Sequence, residues 1–157
     1  MSCKSQAKRR VLLVDDDEPF LKTASAILSS EFECLTESDP SKVLEHCDVF
    51  DPDGVLLDVY FGDEPVGMNV LEEIVRNQPF IPVIMWTESE SVELALKAQE
   101  IGAFHYVRKT AKPGEVRVVL EAALKSRSTL IRNEELREEI GRGSTHLIYA
   151  SSAVEAI

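Results

Sequence analysis

The sequence predicts an α/β fold in which a parallel sheet is covered by helices on both faces. Short apolar segments alternate with segments of helical periodicity from residue 11 to residue 124. The first apolar segment, Val11–Val14, has no alternation of apolar and polar residues, as expected of a strand that is buried on both faces. Five strands, each followed by a helix, account for this pattern.

The first half of the chain contains three predicted strands. After Val11–Val14, Pro19 stands in the first turn of a predicted helix. Cys34–Thr36 is a weaker strand candidate, and Ser38–Pro40 predicts an N-cap and a first-turn proline for a short second helix. The third strand, Val55–Leu57, follows a turn segment made of Asp, Pro and Gly.

The second half of the chain continues the alternation. The pattern predicts a helix around residues 70–75, a strand at Pro82–Trp86, a helix at Val92–Ile101, a strand at Phe104–Val107 and a helix from Pro113 to Leu124. Gly102 is placed as the C-terminal stop of the fourth helix, because glycine readily adopts the left-handed conformation that ends many helices.

The composition argues against several classes of function. The formal net charge is −11, from 28 acidic and 17 basic residues, and such a surface repels nucleic acid. No apolar run approaches the roughly 20 residues that span a bilayer, so no membrane contact is expected. Three cysteines, an odd number without metal-like spacing, favour a reducing environment and a cytoplasmic location.

Acidic residues follow the first and third predicted strands. Asp15, Asp16 and Asp17 come directly after Val14, and Asp58 comes directly after Leu57. Because ligands bind beyond the carboxyl ends of parallel strands, these carboxylates are expected to converge. Hard oxygen ligands suit Mg²⁺, and a carboxylate beside Mg²⁺ can attack a phosphoryl group. Taken alone, the Asp15–Asp17 run is also compatible with an acidic loop that caps the next helix.

Polar residues of complementary chemistry follow the fourth and fifth strands. Thr87 offers a hydroxyl group, and Lys109 offers a cation that can pair with Asp58 and later with a phosphoryl oxygen. Four strands that each end in a suitable polar group form a far more specific pattern than any one of them. The sequence therefore predicts a site for phosphoryl chemistry at this edge of the sheet.

These motifs resemble the receiver domain of two-component response regulators. The residues that carry the resemblance are Val11–Asp16, Leu57–Asp58, Met85–Thr87 and Tyr106–Lys109, and the match covers about residues 8–125. The resemblance implies a flavodoxin-like (βα)5 doubly wound sheet with strand order 2-1-3-4-5. It also implies a phosphoacceptor protein of signal transduction, and not an enzyme that turns over a substrate.

The resemblance further assigns roles to individual residues. Asp58 would accept the phosphoryl group from a sensor histidine kinase. Mg²⁺ would be bound directly by Asp16, Asp58 and the backbone carbonyl of Tyr60, and largely through water by Asp15. Thr87 and Lys109 would contact the phosphoryl group.

A change in shape would follow phosphorylation. Thr87 would move inward, and Tyr106 would repack behind it as an aromatic switch. The surface of the fourth helix, fifth strand and fifth helix would then alter, which would favour a homodimer through that face or through the following linker helix.

Beyond the receiver segment, we expect a helical linker at residues 126–143 and a tail at 144–157. The tail is faintly similar to the start of the AAA+ module of sigma-54-dependent transcriptional activators, in which a receiver, a linker and an ATPase follow one another. An ordinary amphipathic terminal segment explains the tail equally well. The chain contains no Gly-x-x-x-x-Gly-Lys-[Ser/Thr] motif, so it is not itself an NTPase.

Two other function classes stay open at the level of sequence. A pseudo-receiver would use the fold as a protein-interaction module without phosphorylation; Glu88 after Thr87, and Thr110 where the family usually has proline, favour it. A phosphohydrolase would use Asp15 or Asp58 as a turnover nucleophile. The residue pattern opposes it, because Pro19 stands where such enzymes require Thr or Val.

Overall fold

The structure is a computed structural model that describes residues 8–112 and 114–127 of the chain. Five parallel strands form one sheet in the order β2-β1-β3-β4-β5. The strands are β1 Arg9–Val14, β2 Phe32–Glu37, β3 Gly54–Leu57, β4 Val83–Thr87 and β5 His105–Arg108. This arrangement confirms the predicted fold class and strand order. The tail at 144–157, the linker beyond residue 127 and the predicted helix start at Pro113 lie outside the described residues.

Helices connect the strands and cover the sheet. They are α1 Glu18–Leu28, α2 Val43–Val49, α3 Val66–Asn77 and α4 Val92–Ile101, with a further helical stretch, α5, through residues 114–127. A 3-10 turn at Pro40–Lys42 precedes α2, and the Asp39 side chain caps it by accepting from the Ser41 amide. The predicted cap and first-turn proline are therefore present, but they open this 3-10 turn and not α2 itself.

Strand boundaries differ from the predicted ones by one or two residues. β2 is longer than predicted because it is an edge strand, which pairs with β1 along its whole length although it carries the polar residues Glu33 and Glu37. β4 and β5 each end one residue later than predicted, since Thr87 and Arg108 are still paired across the ladder. Backbone pairing, and not side-chain polarity, decides where these strands end.

Two apolar layers pack on opposite faces of the sheet. Along β1, Leu12 and Val14 belong to the layer covered by α2, α3 and α4, whereas Val11 and Leu13 belong to the layer covered by α1 and α5. All four side chains are at most 1% exposed. The predicted burial of this strand on both faces is confirmed. Within the described residues, no helix combines the length and the apolar character needed to cross a bilayer.

Local caps fix where α1 begins and where α4 ends. Asp17 caps α1 by accepting from the Phe20 amide at 3.1 Å, which directs the start of α1 toward the end of β1. Gly102 ends α4 at φ +134° and donates to the Ala98 carbonyl at 3.0 Å. The predicted glycine stop is therefore present, and it turns the chain back into β5.

Candidate functional site

The carboxyl edge of the sheet forms an open cleft of about 440 Å³. The ends of β1, β3, β4 and β5 each contribute to it. Of the residues predicted for the site, the following line the cleft: Asp15, Asp16, Asp58, Tyr60, Thr87 and Lys109. Tyr106 does not line it; it lies within β5, where its backbone pairs with Met85 of β4.

Three carboxylates converge in this cleft. Asp15, Asp16 and Asp58 each offer one oxygen, and these three oxygens lie within 4.8 Å of one another. Asp15 and Asp58 are 2% and 7% exposed, whereas Asp16 is exposed to solvent. A hard divalent cation takes several oxygen ligands, and Mg²⁺ retains waters of its own on the open side of such a site. The donor set and the open cleft therefore fit Mg²⁺.

Lys109 supplies the positive charge of the site. Its Nζ lies 2.5 Å from Asp15 Oδ2 and 3.2 Å from Asp58 Oδ2. The Lys109 amide also donates to the Thr87 carbonyl at 2.8 Å, which anchors the start of the β5–α5 connection to the end of β4. The sequence pattern predicts Lys109 beside Asp58, but it does not indicate that Asp15 is the nearer partner.

An aromatic pair that was not predicted lies beneath this lysine. Lys109 Nζ lies 4.3 Å from the centre of the Phe20 ring, and that ring meets Trp86 edge to face, with centroids 4.8 Å apart. Cations are attracted to the faces of aromatic rings, so Phe20 helps to hold the ammonium group in place. The signal available in the sequence was the position of Phe20 in the first turn of α1, close to the Asp15–Asp17 run.

Backbone contacts hold Asp58 at the end of β3. Its amide donates to the Val14 carbonyl at 3.0 Å, and its Oδ1 accepts from the following Val59 amide at 2.7 Å. The Gly67 amide, in the first turn of α3, donates to the Val59 carbonyl at 2.8 Å. One carboxylate oxygen is thus fixed by the chain itself, and the other faces Lys109.

Burial dominates the electrostatics of Asp15. It raises the pKa of this carboxyl from 3.8 to about 6, although Lys109 and the Asp17 amide act in the opposite direction. Burial also acts to lower the pKa of Lys109, but the Asp15 and Asp58 carboxylates outweigh it and the net shift is upward. The lysine stays charged, and the three carboxylates carry more negative charge than it can neutralise.

The pKa of Asp15 predicts a pH-dependent loss of stability when divalent ions are absent. The folded state holds this proton more tightly than the unfolded chain does, so stability falls as the pH rises from about 4 to about 6. We expect Asp15→Asn to raise the free energy of unfolding by about 2 kcal/mol at neutral pH. Below about pH 4, where the Asp15 carboxyl is protonated in both states, the substitution should have little effect. Urea unfolding in EDTA over this range measures the difference.

The control for this prediction is Asp17→Asn. It removes the same formal charge at an exposed position, and asparagine caps a helix as well as aspartate does. A gain for Asp15→Asn that does not change with pH, or an equal gain for the control, would contradict the assignment to Asp15.

Thr87 and Tyr106 lie on the adjacent strands β4 and β5. Thr87 is 1% exposed, and its hydroxyl accepts from the Ser89 amide at 3.3 Å. The Tyr106 hydroxyl is buried without a hydrogen-bond partner among the described residues, and its ring packs against the layer formed with α2, α3 and α4. A buried hydroxyl without a hydrogen-bond partner costs free energy, so a local rearrangement that gives the Tyr106 hydroxyl a partner would be favourable.

Three exposed residues lie at or next to the mouth of the cleft. Glu88 and Tyr60 line it and are exposed, and Thr110 is exposed in the connection that follows Lys109. The described peptide bonds, including that between Lys109 and Thr110, are trans. With this trans peptide bond in the connection, the Lys109 side chain contacts both Asp15 and Asp58.

Residues 11–121 match the family profile described as the response regulator receiver domain. The chain belongs to the response regulator receiver domain family. The receiver fold explains why polar residues at four strand ends share one cleft. The profile match also confirms the family that the sequence motifs resemble.

One curated relative of this receiver domain is a transcriptional regulator. The alginate biosynthesis transcriptional regulatory protein AlgB of Pseudomonas aeruginosa is 29% identical over 160 residues, covering 100% of this chain and 35% of AlgB. The chain also covers 28% of a putative NtrX-like response regulator of Rickettsia bellii and 26% of the regulatory protein AtoC of Escherichia coli. The chain thus spans about a third or less of the length of these curated relatives.

Solved structures resemble this receiver domain closely in fold. The crystal structure of NtrX from Brucella abortus in complex with ADP matches with a TM-score of 0.77 and 28% identity, over 85% of this chain and 30% of that one. A CheY-like receiver domain protein from Methanospirillum hungatei matches with a TM-score of 0.73 and 24% identity, over 78% of this chain and 98% of that one. The second likeness bears on the fold alone.

Proposed function

We propose that this receiver domain accepts a phosphoryl group on Asp58, from a sensor histidine kinase, in a reaction that depends on Mg²⁺. One observation carries the proposal: a buried carboxylate at the end of β3 meets two further carboxylates and a lysine ammonium in one open cleft. This combination can bind a divalent cation and a phosphoryl group side by side.

Each residue has a defined task in the transfer. The Asp58 oxygen that forms the new bond attacks phosphorus as the bond from phosphorus to the donor histidine nitrogen breaks, and the imidazole leaves. Lys109 then exchanges its contact with Asp58 for one with a phosphoryl oxygen. Asp16, Asp58 and the Tyr60 carbonyl would hold Mg²⁺, with Asp15 acting largely through water. Bound there, the ion offsets the repulsion between carboxylate and phosphoryl oxygens.

The switch is proposed to run from Thr87 to Tyr106. Thr87 lines the cleft and would donate a hydrogen bond to the phosphoryl group. Movement of Thr87 would let the Tyr106 ring repack, because the two residues lie on neighbouring strands. The face formed by α4, β5 and α5 would then favour a homodimer; Val92 and Leu96 are already 71% and 58% exposed there.

The output is proposed to be transcription regulation in the cytoplasm. Support comes from AlgB, a transcriptional regulatory protein that aligns with the whole of this chain and is much longer than it. We propose a receiver at residues 8–125, a helical linker at 126–143 and, at 144–157, the start of an output domain of the sigma-54-dependent activator type. The linker offers a second route to dimerisation.

Phosphorylation by acetyl phosphate tests the proposal. With Mg²⁺ present, we expect a mass gain of one phosphoryl group that survives acid and is lost in base. Asp58→Asn should abolish the gain and EDTA should prevent it, whereas Asp48→Asn, at an exposed position on α2 away from the cleft, should retain it.

The same experiment separates the alternatives. Glu88 is exposed at the mouth of the cleft and brings a further anion to the residue after Thr87, which favours a pseudo-receiver. Wild-type protein that acquires no adduct would support that reading and overturn ours. Sustained turnover of a phosphomonoester would instead identify a phosphohydrolase.

A further inference from the structure

The connection between β3 and α3 folds into a miniature hairpin beside the cleft. Phe61 and Glu64 form an antiparallel bridge, with the Phe61 amide donating to the Glu64 carbonyl at 2.9 Å and the Glu64 amide donating in return at 3.4 Å. Gly62 occupies the turn at φ +70°. The closed backbone pairing gives this exposed loop a defined shape.

The hairpin points one backbone amide at the acidic cluster. The Gly62 amide donates to Asp16 Oδ2 at 2.8 Å, joining two residues that are 46 positions apart. Among the described residues, no other hydrogen-bond donor to the Asp16 side chain is found. Asp15 and Asp58 are buried and each also contacts Lys109, whereas Asp16 is exposed and depends on this loop.

We propose that Gly62 is a positioning residue for the divalent cation, which it serves by holding Asp16 in the ligand cluster. The inference rests on the proposed function, since it concerns the cation of that same site. An exposed aspartate samples several rotamers, and binding a cation then costs the entropy of ordering it. A hydrogen bond that orders the ligand beforehand removes that cost, and loss of such an outer contact weakens metal binding by about 10–100-fold.

Glycine is favoured at this position by the backbone conformation and not by lack of space. A Cβ built on Gly62 meets no atom within 4 Å, but φ is +70°, a conformation that β-branched residues rarely adopt. Asparagine tolerates this conformation and keeps the amide. Gly62→Val should therefore open the turn and withdraw the amide, whereas Gly62→Asn should preserve both.

Two-dimensional amide NMR of the whole chain measures both the contact and its effect. Without metal, the Gly62 amide proton should move upfield and exchange about tenfold faster in Asp16→Ala, because its acceptor is lost. On titration with MgCl₂, wild type and Gly62→Asn should bind with similar affinity. Gly62→Val should bind at least tenfold more weakly.

Each outcome has one meaning. A Gly62 amide that is unchanged in Asp16→Ala overturns the contact, and a Gly62→Val variant that binds Mg²⁺ as tightly as wild type overturns the positioning role. Either result leaves the proposed function intact provided that wild type binds Mg²⁺. Wild type that does not bind Mg²⁺ would refute both the Mg²⁺ dependence of the proposed function and the role assigned to Gly62.

Discussion

Replacing Lys109 with methionine is expected to lower the free energy of unfolding by about 3 kcal/mol at neutral pH. The lysine ammonium contacts Asp15 and Asp58, and the side chains of all three residues are at most 9% exposed. Methionine keeps the length and apolar stem of lysine, so the change removes the charge and little else. Two buried carboxylates then face each other with no cation between them, and breaking a buried pair in this way is strongly destabilising.

Urea unfolding with and without Mg²⁺ measures this effect. Lys97→Met provides the control, because Lys97 is exposed on α4 and away from the cleft. We expect most of the loss at Lys109 to be recovered in excess Mg²⁺, since a bound cation replaces the missing charge. A Lys109→Met protein as stable as the Lys97 variant would show that the carboxylates do not depend on this lysine.

Replacing Gly67 with alanine is expected to destabilise the domain by about 3 kcal/mol, at the upper end of the cost of overpacking. A Cβ at this position would overlap the Asp58 carbonyl oxygen and would lie 2.8 Å from both the Cα and the carbonyl oxygen of Val59. These are backbone atoms of the segment that contains Asp58, so no side-chain rotation relieves the clash. The gain in helix propensity from glycine to alanine, about 1 kcal/mol, is too small to compensate.

Gly114→Ala is the matched control for this substitution. Gly114 also lies in a helical stretch, and a Cβ there meets no atom within 4 Å. We expect that variant to be as stable as wild type or slightly more stable. Because relief of the clash at Gly67 must displace the end of β3, the Gly67 variant should also lose the proposed phosphorylation of Asp58 by acetyl phosphate. Equal stability of the two alanine variants would contradict the close packing of α3 against Asp58.

The placement of the site residues at one edge of the sheet could be predicted, because the carboxyl ends of parallel strands lie at the same edge. Asp58 and Lys109 each follow an apolar strand directly, so strand order and direction alone bring them near one another. The partner preference of Lys109 could not be predicted in the same way. Its distances to Asp15 and Asp58 differ by less than 1 Å, and such differences depend on side-chain packing, including the Phe20 ring.

Two of the contacts that were not predicted depend on the backbone of a glycine. Gly62 donates to Asp16 across 46 positions, and Gly67 is excluded from carrying a side chain by the backbone of Asp58. A glycine contributes neither to hydrophobic periodicity nor to a charge pattern, so patterns of residue type do not indicate the roles of these two glycines. The hairpin at 61–64 is likewise set by backbone hydrogen bonds.

The order in which the strands leave the ribosome has a consequence for signalling. Asp15 and Asp58 directly follow β1 and β3, which are synthesised well before β5, and Lys109 follows β5 directly. Sheets built from distant segments form late, because the loop between partners must close first. Until β5 has paired with β4, the carboxylates lack their cation and the cleft lacks one wall. If Asp58 accepts a phosphoryl group as proposed above, a nascent chain becomes competent for that reaction only after its synthesis has passed β5.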